Sequence, residues 1–469
     1  MFALAASPAW AQVPWPSANA PPATPAAEQP YGAPLLGAQP RLIVPAPGAG
    51  PPLPPAPSQT HLPPLLPPPA PPGTRLGFDL RPTFGVSEQY SDNFFLTATN
   101  RTENFRSMIS PGLLIGINDP RASGTVLASV GIAQDSVDTL GDLHLYPAAA
   151  AALRYAFDPR LSLSLFEAYV RSDSPALANQ FGLQTTRNTF DTNRLGVSAD
   201  WLMDVYATQA YYQFSLFSGQ SNTTSQIAGA DVGIPVGQAM ALKGGYEFFY
   251  SKTTGSTTSG VGPSETTGHV GWGSIARQIS SLCSVGVQGS YSIQTLNNTR
   301  IWNVAAVSAL ELAGRLSLSG SIGYGLLTAD SGDSSIVTSH TSLNYHFARA
   351  VFSLAVDSDF NQTFLEGENF GITITRSYTA AFDYALTPTL HALARASYSD
   401  NEFTGVGNSA GSPDQQVITG SGGLAWQLRP WLKLAIDYTY TRSYTGSGAG
   451  GGTGAITENR GTFRLDTIF

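Results

Sequence analysis

Charge is what this chain has least of. Asp, Glu, Lys and Arg make up 12% of its 469 residues, about half the share of ~25% in an ordinary soluble domain. Lysine is nearly absent, at 3 residues against 21 arginines, and the formal net charge is −8. That balance excludes a nucleic-acid binder of the basic-patch type. Cysteine occurs once, as Cys283, so no disulfide can form within the chain. Nowhere do apolar residues run for the ~20 positions that a membrane-spanning helix needs. The six histidines (His61, His144, His269, His340, His346 and His391) fall in no H-x-x-x-H, H-E-x-x-H or Cys/His ligand spacing, and there is no P-loop. The expectation is a chain with no catalytic residues, no metal and no cofactor.

The hydrophobic fraction is nevertheless an ordinary 42%, and the missing charge is replaced by Gly (48 residues), Ser, Thr and Asn. Low charge, average hydrophobicity and no helical span fit strands whose residues alternate between a lipid face and a wet face.

Three materials follow one another along the chain. Residues 1–11 read as part of a signal peptide: Phe2–Ala6 is apolar and Ala9-Trp10-Ala11 is an A-x-A cleavage pattern before Gln12, but a basic n-region is missing. Residues 12–75 are a proline-rich segment. Of the 34 prolines, 23 lie within residues 1–75, and the only charges from 12 to 75 are Glu28, Arg41 and Arg75. Proline removes donors and fixes φ, so disorder with polyproline II character is expected. At ~3.1 Å per residue such an arm reaches on the order of 190 Å, enough to cross much of a periplasm. It is either a passive spacer or the docking site of a periplasmic partner.

Residues 76–469 alternate with the strand period. In Leu432–Thr441 the even positions are Leu, Leu, Ile, Tyr and Tyr, and the odd ones Lys, Ala, Asp, Thr and Thr. Leu316–Tyr324 and Thr341–Phe347 repeat the pattern. The alanine run Ala148–Ala152 follows Pro147 and leads into the Asp158-Pro159 turn, so it too reads as strand. Tight turns are expected near Asp119-Pro120-Arg121, Asp158-Pro159-Arg160, Met203-Asp204, Pro235-Val236-Gly237, Ser280-Ser281, Ala313-Gly314-Arg315, Ala348-Arg349, Thr387-Pro388 and Arg429-Pro430. Between them lie longer polar connections at 173–189, 253–265, 330–335, 402–415 and 446–458. Short turns on one rim and long loops on the other describe an all-β, transmembrane, antiparallel up-and-down β-barrel. Nine turns separate ten hairpins, which predicts about 20 strands, within a range of 16–22.

The last strand predicts closure. Phe463, Leu465 and Phe469 share one face, with Arg464 on the other. That ending resembles the C-terminal signal of bacterial outer-membrane barrels, read by the barrel-insertion machinery, and implies pairing with the first strand near Leu76. Aromatics near strand ends (Trp201, Tyr206, Tyr211, Tyr212, Trp272, Trp302, Trp426, Trp431, Tyr438 and Tyr440) are expected in interfacial girdles against lipid and lipopolysaccharide. Most charged strand positions are expected to line the lumen or lie near a rim, because a basic residue on a lipid face costs ~2–4 kcal/mol near the midplane. These are Arg154, Arg194, Lys243, Glu247, Arg277, Asp357, Arg376, Asp383, Arg395, Lys433, Asp437 and Arg464.

The stretch Glu88-Gln89-Tyr90-Ser91-Asp92-Asn93-Phe94-Phe95-Leu96, followed by Asn104-Phe105 and Ile109-Ser110-Pro111-Gly112-Leu113, resembles the opening of the β-barrel porin 2 family of proteobacterial outer-membrane proteins. The resemblance is specific over 76–117 and covers only hairpin rhythm beyond. It implies an outer-membrane location, with some relatives linked to exopolysaccharide systems. Asp92 and Asn93 are too few ligands for a calcium loop and read as a loop-tip turn. Three functions follow as expectations: a conduit for polar solutes tied to exopolysaccharide export; a non-conducting accessory protein whose arm binds a partner; or, as a minor reading, a hydrolase using His144, His269 or His340.

Overall fold

In a computed structural model of the chain, the described residues run from 77 to 469, apart from short connecting segments at 138–142, 179–186, 204–205, 220, 238, 255–263, 281, 296–297, 313–314, 331, 366–367, 405–413 and 446–454. The expectations placed on residues 1–75 lie outside them. Twenty strands follow in order: β1 (Gly77–Ser91), β2 (Asn104–Asn118), β3 (Ala122–Asp135), β4 (His144–Asp158), β5 (Leu161–Ser172), β6 (Phe190–Leu202), β7 (Ala207–Ser218), β8 (Asn222–Val236), β9 (Met240–Thr254) and β10 (Ser264–Ser280). The second half comprises β11 (Cys283–Gln294), β12 (Thr299–Leu312), β13 (Leu316–Ala329), β14 (Gly332–His346), β15 (Ala350–Leu365), β16 (Glu368–Ala385), β17 (Leu390–Thr404), β18 (Gln415–Arg429), β19 (Leu432–Thr445) and β20 (Ala455–Ile468). One short helical turn, α1 (Pro175–Ala178), sits between β5 and β6.

Each strand pairs antiparallel with the next, and β20 pairs with β1 from Thr83↔Ile468 to Ser91↔Arg460. The Phe469 N–H adds one more bond, to the Pro82 carbonyl at 3.0 Å. The sheet is therefore a closed antiparallel barrel of 20 strands without a free side, as closure of an edge-free sheet requires. At a spacing of ~4.8 Å and a tilt near 40°, such a wall is roughly 40 Å across, too wide for side chains to fill.

Alternation sorts the two faces. On β19, Ile436 and Tyr438 are half exposed on the outside while Thr439 and Thr441 are buried on the inside. The outer face carries Phe84, Tyr155, Trp201, Val285, Val304, Ile322, Val337, Phe382 and Leu424, all well exposed: an apolar belt with no covering layer of its own. Phe463, Leu465 and Phe469 share that outer face, and the Phe469 ring stacks on Trp431 at 6.0 Å. The Ala148–Ala152 run lies within β4.

The nine tight turns connect strands at one rim, where β1 begins and β20 ends. The opposite rim is less uniform than its sequence suggests. The connection expected at 330–335 is a tight turn, because β13 continues to Ala329 and β14 starts at Gly332, whose φ of +128° suits glycine. Asp333, Ser334 and Ser335 are polar because they stand at a wet rim of the wall, not because they form a loop. Two aromatics also depart from the girdle reading. Tyr211 and Trp272 share the inner face, since their register partners are Gly229 and Gly245, beside the inward Glu247. In both, the ring lies over a glycine that leaves room for it.

Candidate functional site on the inner wall

Register and alternation put Arg154, Arg194, Lys243, Glu247, Asp357, Asp383, Arg395, Lys433, Asp437 and Arg464 on the inner face. Ion pairs and hydrogen-bonded polar pairs form there at short range. Arg464 Nε lies 2.8 Å from Asp466, and His391 Nδ1 lies 2.9 Å from Asp383. His340 bridges Asp357 at 3.3 Å and Asp359 at 3.1 Å. Lys433 faces Asp466 across the β19–β20 register. Arg194 donates to Gln213 at 3.1 Å, and Tyr211 donates to Glu247 at 2.5 Å.

Arg277 and Arg376 are corrections to the expected lumen set. Arg277 alternates with Ile275 and Ile279 on the outer face, three residues from the Ser280 turn. Close to a rim, an outward basic residue costs only ~0–1 kcal/mol and snorkels into headgroup water. Arg376 is on the outer face of β16, where Asp400 at 3.1 Å and Glu402 at 3.6 Å on β17 pair with it.

A denser group, absent from the expected set, lies on one side of the loop-side mouth. The β1–β2 connection turns inward, with Leu96 at φ +56° and with Phe94 and Leu96 each 2% exposed. Two guanidinium groups lie against the Phe94 ring, Arg106 at 5.0 Å and Arg187 at 4.4 Å from its centroid. Arg106 binds Asp135 through Nε and Nη2 at 2.7 and 2.8 Å, and Asp173 through Nη2 at 2.7 Å. Tyr146 donates to the same Asp173 at 3.1 Å, and Arg187 reaches Glu458 on β20 at 3.3 Å. Buried charges persist where partners satisfy them, and this network ties the first and third loops to the wall from inside. The sequence signal was present: Arg106 is a charge alternating with Phe105 and Ser107.

The Tyr-Ser-Asp-Asn stretch proves to be a clasp across the closure as well as a turn. Asn93 Oδ1 accepts from the Thr97 N–H at 3.1 Å, the expected loop-tip turn, while Asn93 Nδ2 donates to the Thr457 carbonyl of β20 at 2.9 Å. Asp92 accepts from the backbone and side-chain nitrogens of Asn459, both at 2.6 Å. Ser91 donates to Glu458 at 2.8 Å.

A second obstruction comes from the wall itself. β13 pairs with β14 up to Ala329↔Gly332, and β15 with β16 up to Leu365↔Glu368, but β14 and β15 pair only as far as Ser339↔Ser358. Beyond that row the β15–β16 hairpin slides behind β14. Phe360, Ile372 and Ile374, on its nominal outer face, are buried against Leu327 and Ile336, which belong to the inner face of β13 and β14. The Phe360 ring covers Gly325. The freed Phe360 N–H donates to Asp359 at 2.8 Å, and Ser358 Oγ donates to the Val337 carbonyl at 2.9 Å.

The three histidines of the hydrolase reading stand on β4, β10 and β14 and do not converge. His144 lies 3.9 Å from Asp135 inside, His269 meets Tyr246 at 2.5 Å outside, and His340 sits between its two aspartates. A G-x-S-x-G spacing, Gly407-Asn408-Ser409-Ala410-Gly411, joins two strands instead of a strand and a helix, the setting of a nucleophile elbow, and lies outside the described residues. No group of His, Cys, Asp and Glu among the described residues could hold a metal ion.

No family model and no curated protein match the chain. Solved structures do. The ferric enterobactin receptor PfeA of Pseudomonas aeruginosa, as its R480A mutant in complex with enterobactin, is similar at a TM-score of 0.51 and 10% identity, over 84% of this chain and 82% of that one. The siderophore receptor PirA of Acinetobacter baumannii is similar at 0.50 and 8% identity, over 84% and 81%. OpdQ of P. aeruginosa is matched at 0.41 and 13% identity, over 83% and 98%. At such identities the likeness to the receptors is one of fold: the chain is a large closed antiparallel β-barrel.

Proposed function

We propose that this barrel sits in a bacterial outer membrane and conducts polar solutes along its inner wall. The observation that carries this reading is the contrast between faces: an uncovered apolar belt outside, and inside a wide wall set with charges of both signs. Such a lumen is wet wherever loops do not fill it. Paired charges of opposite sign favour passage of polar solutes with weak preference for either ion sign. The inturned loops and the β15–β16 hairpin act as constrictions, so conduction is gated more than open. Resemblance to the β-barrel porin 2 family over residues 76–117 supports the location and adds the link to exopolysaccharide export. No catalysis belongs to this proposal.

Planar-bilayer recording of the purified full chain, with and without residues 12–75, tests it. Discrete conductance steps and a reversal potential close to zero in a salt gradient are expected. A heat-modifiable, folded barrel that never conducts in either form overturns the conduit, and capture of a periplasmic protein by residues 12–75 alone then supports the accessory reading, in which the arm docks a partner.

A further inference from the structure

Aromatic side chains are unevenly shared around the inner face. Those of β4–β10 include Tyr146, Phe166, Phe190, Tyr211, Phe249 and Trp272. By contrast, β11–β14, β18–β20 and β1–β3 turn none inward; their Tyr, Phe and Trp residues alternate onto the outer face. Lipid packing cannot account for aromatic rings on the wet side of one sector.

Three of these rings keep surface towards the lumen, and each lies flat on a cross-strand glycine. A Cβ at Gly196 would meet Phe166 Cε1 at 2.0 Å; at Gly229, Tyr211 Cζ at 2.5 Å; and at Gly245, three indole atoms of Trp272 at 2.7 Å. The register sets them as steps. Phe166 pairs with Gly196, which pairs with Gln213, and Tyr211 is two residues nearer the tight-turn rim. Tyr211 leads through Gly229 and Glu247 to Val270, and Trp272 is two residues nearer that rim again. With ~4.8 Å between strands and ~3.4 Å per residue, the glycines under successive rings are roughly 12 and 8 Å apart along a descending path. Hydrogen-bonding groups stand beside the rings. Arg194, bonded to Gln213, lies 6.0 Å from the Phe166 ring. The Tyr211 hydroxyl holds Glu247, and Gln209 donates to Asp200 at 2.7 Å. The Trp272 indole N–H has no partner among the described residues.

Flat apolar faces alternating with planar amide, guanidinium and carboxylate groups fit one class of solute. A sugar ring offers an axial C–H face for stacking and an equatorial rim of hydroxyls that both donate and accept. Single charges held in polar pairs suit a polyol better than a strongly charged ion. A lumen site is reached only from the rims, which favours a linear chain. We propose that Phe166, Tyr211 and Trp272, with Arg194, Gln213 and Glu247, form a binding track for a linear oligosaccharide on the β5–β10 sector of the inner wall. This rests on the conduit reading for the entry of the chain into the lumen, but binding itself requires no conductance.

The test is equilibrium binding to the full chain in detergent, which separates the two ideas. Cellohexaose and maltohexaose serve as neutral probes and an oligogalacturonate as an anionic one, followed by calorimetry and by tryptophan fluorescence. At least one probe is expected to bind, with a change in tryptophan emission that disappears in Trp272→Phe, which keeps a ring and therefore the fold. Phe166→Ala, Tyr211→Ala and Trp272→Ala are each expected to weaken binding about fivefold, the scale of one lost aromatic contact, while Trp302→Ala on the outer face leaves it unchanged. Gel mobility before and after heating checks that every variant is a closed barrel. No binding by any probe at millimolar concentration, or binding that the inner variants leave unchanged, overturns the track. Binding by a barrel that does not conduct overturns the conduit and leaves the track standing.

Discussion

A single residue, Arg106, shows how charge is used in a chain that has little of it. Its guanidinium is 2% exposed and is shared by Asp135 and Asp173, with Phe94 against one side. Removing one member of a buried ion network leaves the others without compensation, at about 3–5 kcal/mol. Arg106→Ala is therefore expected to release the β1–β2 connection from the mouth, seen as new protease cleavage between residues 92 and 103 while the barrel stays closed. Retained protection there would mean that the clasp of Asp92 and Asn93 onto β20 holds the loop unaided. The same reasoning explains Arg376, an outward charge acceptable because Asp400 and Glu402 stand next to it.

At the scale of the element, the informative departure is the β15–β16 hairpin. A regular barrel wall is held by ladder bonds throughout, whereas above Ser339↔Ser358 this one is held by side-chain packing of Phe360, Ile372 and Ile374 on Leu327 and Ile336. Packing of one large ring contributes about 3–5 kcal/mol on truncation to alanine, so this end of the β14–β15 join rests on a few side chains. Phe360→Ala is expected to loosen the hairpin and raise single-channel conductance, with the closed barrel intact by gel mobility. Conductance equal to that of the parent would assign the hairpin a static role.

For the whole molecule, everything depends on β20 meeting β1. Leu465 is opposite Val86 in that ladder and opposite Leu434 in the next. Proline there removes an N–H and cannot sit within a central strand. Leu465→Pro is expected to abolish heat-modifiable mobility and leave unfolded or aggregated chain, whereas Leu465→Val is tolerated. A closed barrel from the proline variant would show that the loop-side clasp of Ser91, Asp92 and Asn93 onto Thr457, Glu458 and Asn459 closes the wall by itself.

Much of this architecture was legible beforehand. Period-two alternation, nine short turns, six of them marked by proline or glycine, and a final two-faced strand are local properties of neighbouring residues, and they determined the strand count, the antiparallel order and the closing pair. They also determined the inner face for most charged positions, because alternation passes from each residue to the next. Alternation alone could not place Arg277, Arg376, Tyr211 or Trp272. Which face a strand turns inward depends on its register with both neighbours, and a rim or a paired carboxylate changes what the outer face tolerates. The network around Arg106, the clasp through Asp92 and the hairpin folded behind β14 join residues distant in the chain. Only the closed wall brings these together, since contacts between distant segments depend on the geometry of the whole ring and leave no periodic mark in the sequence.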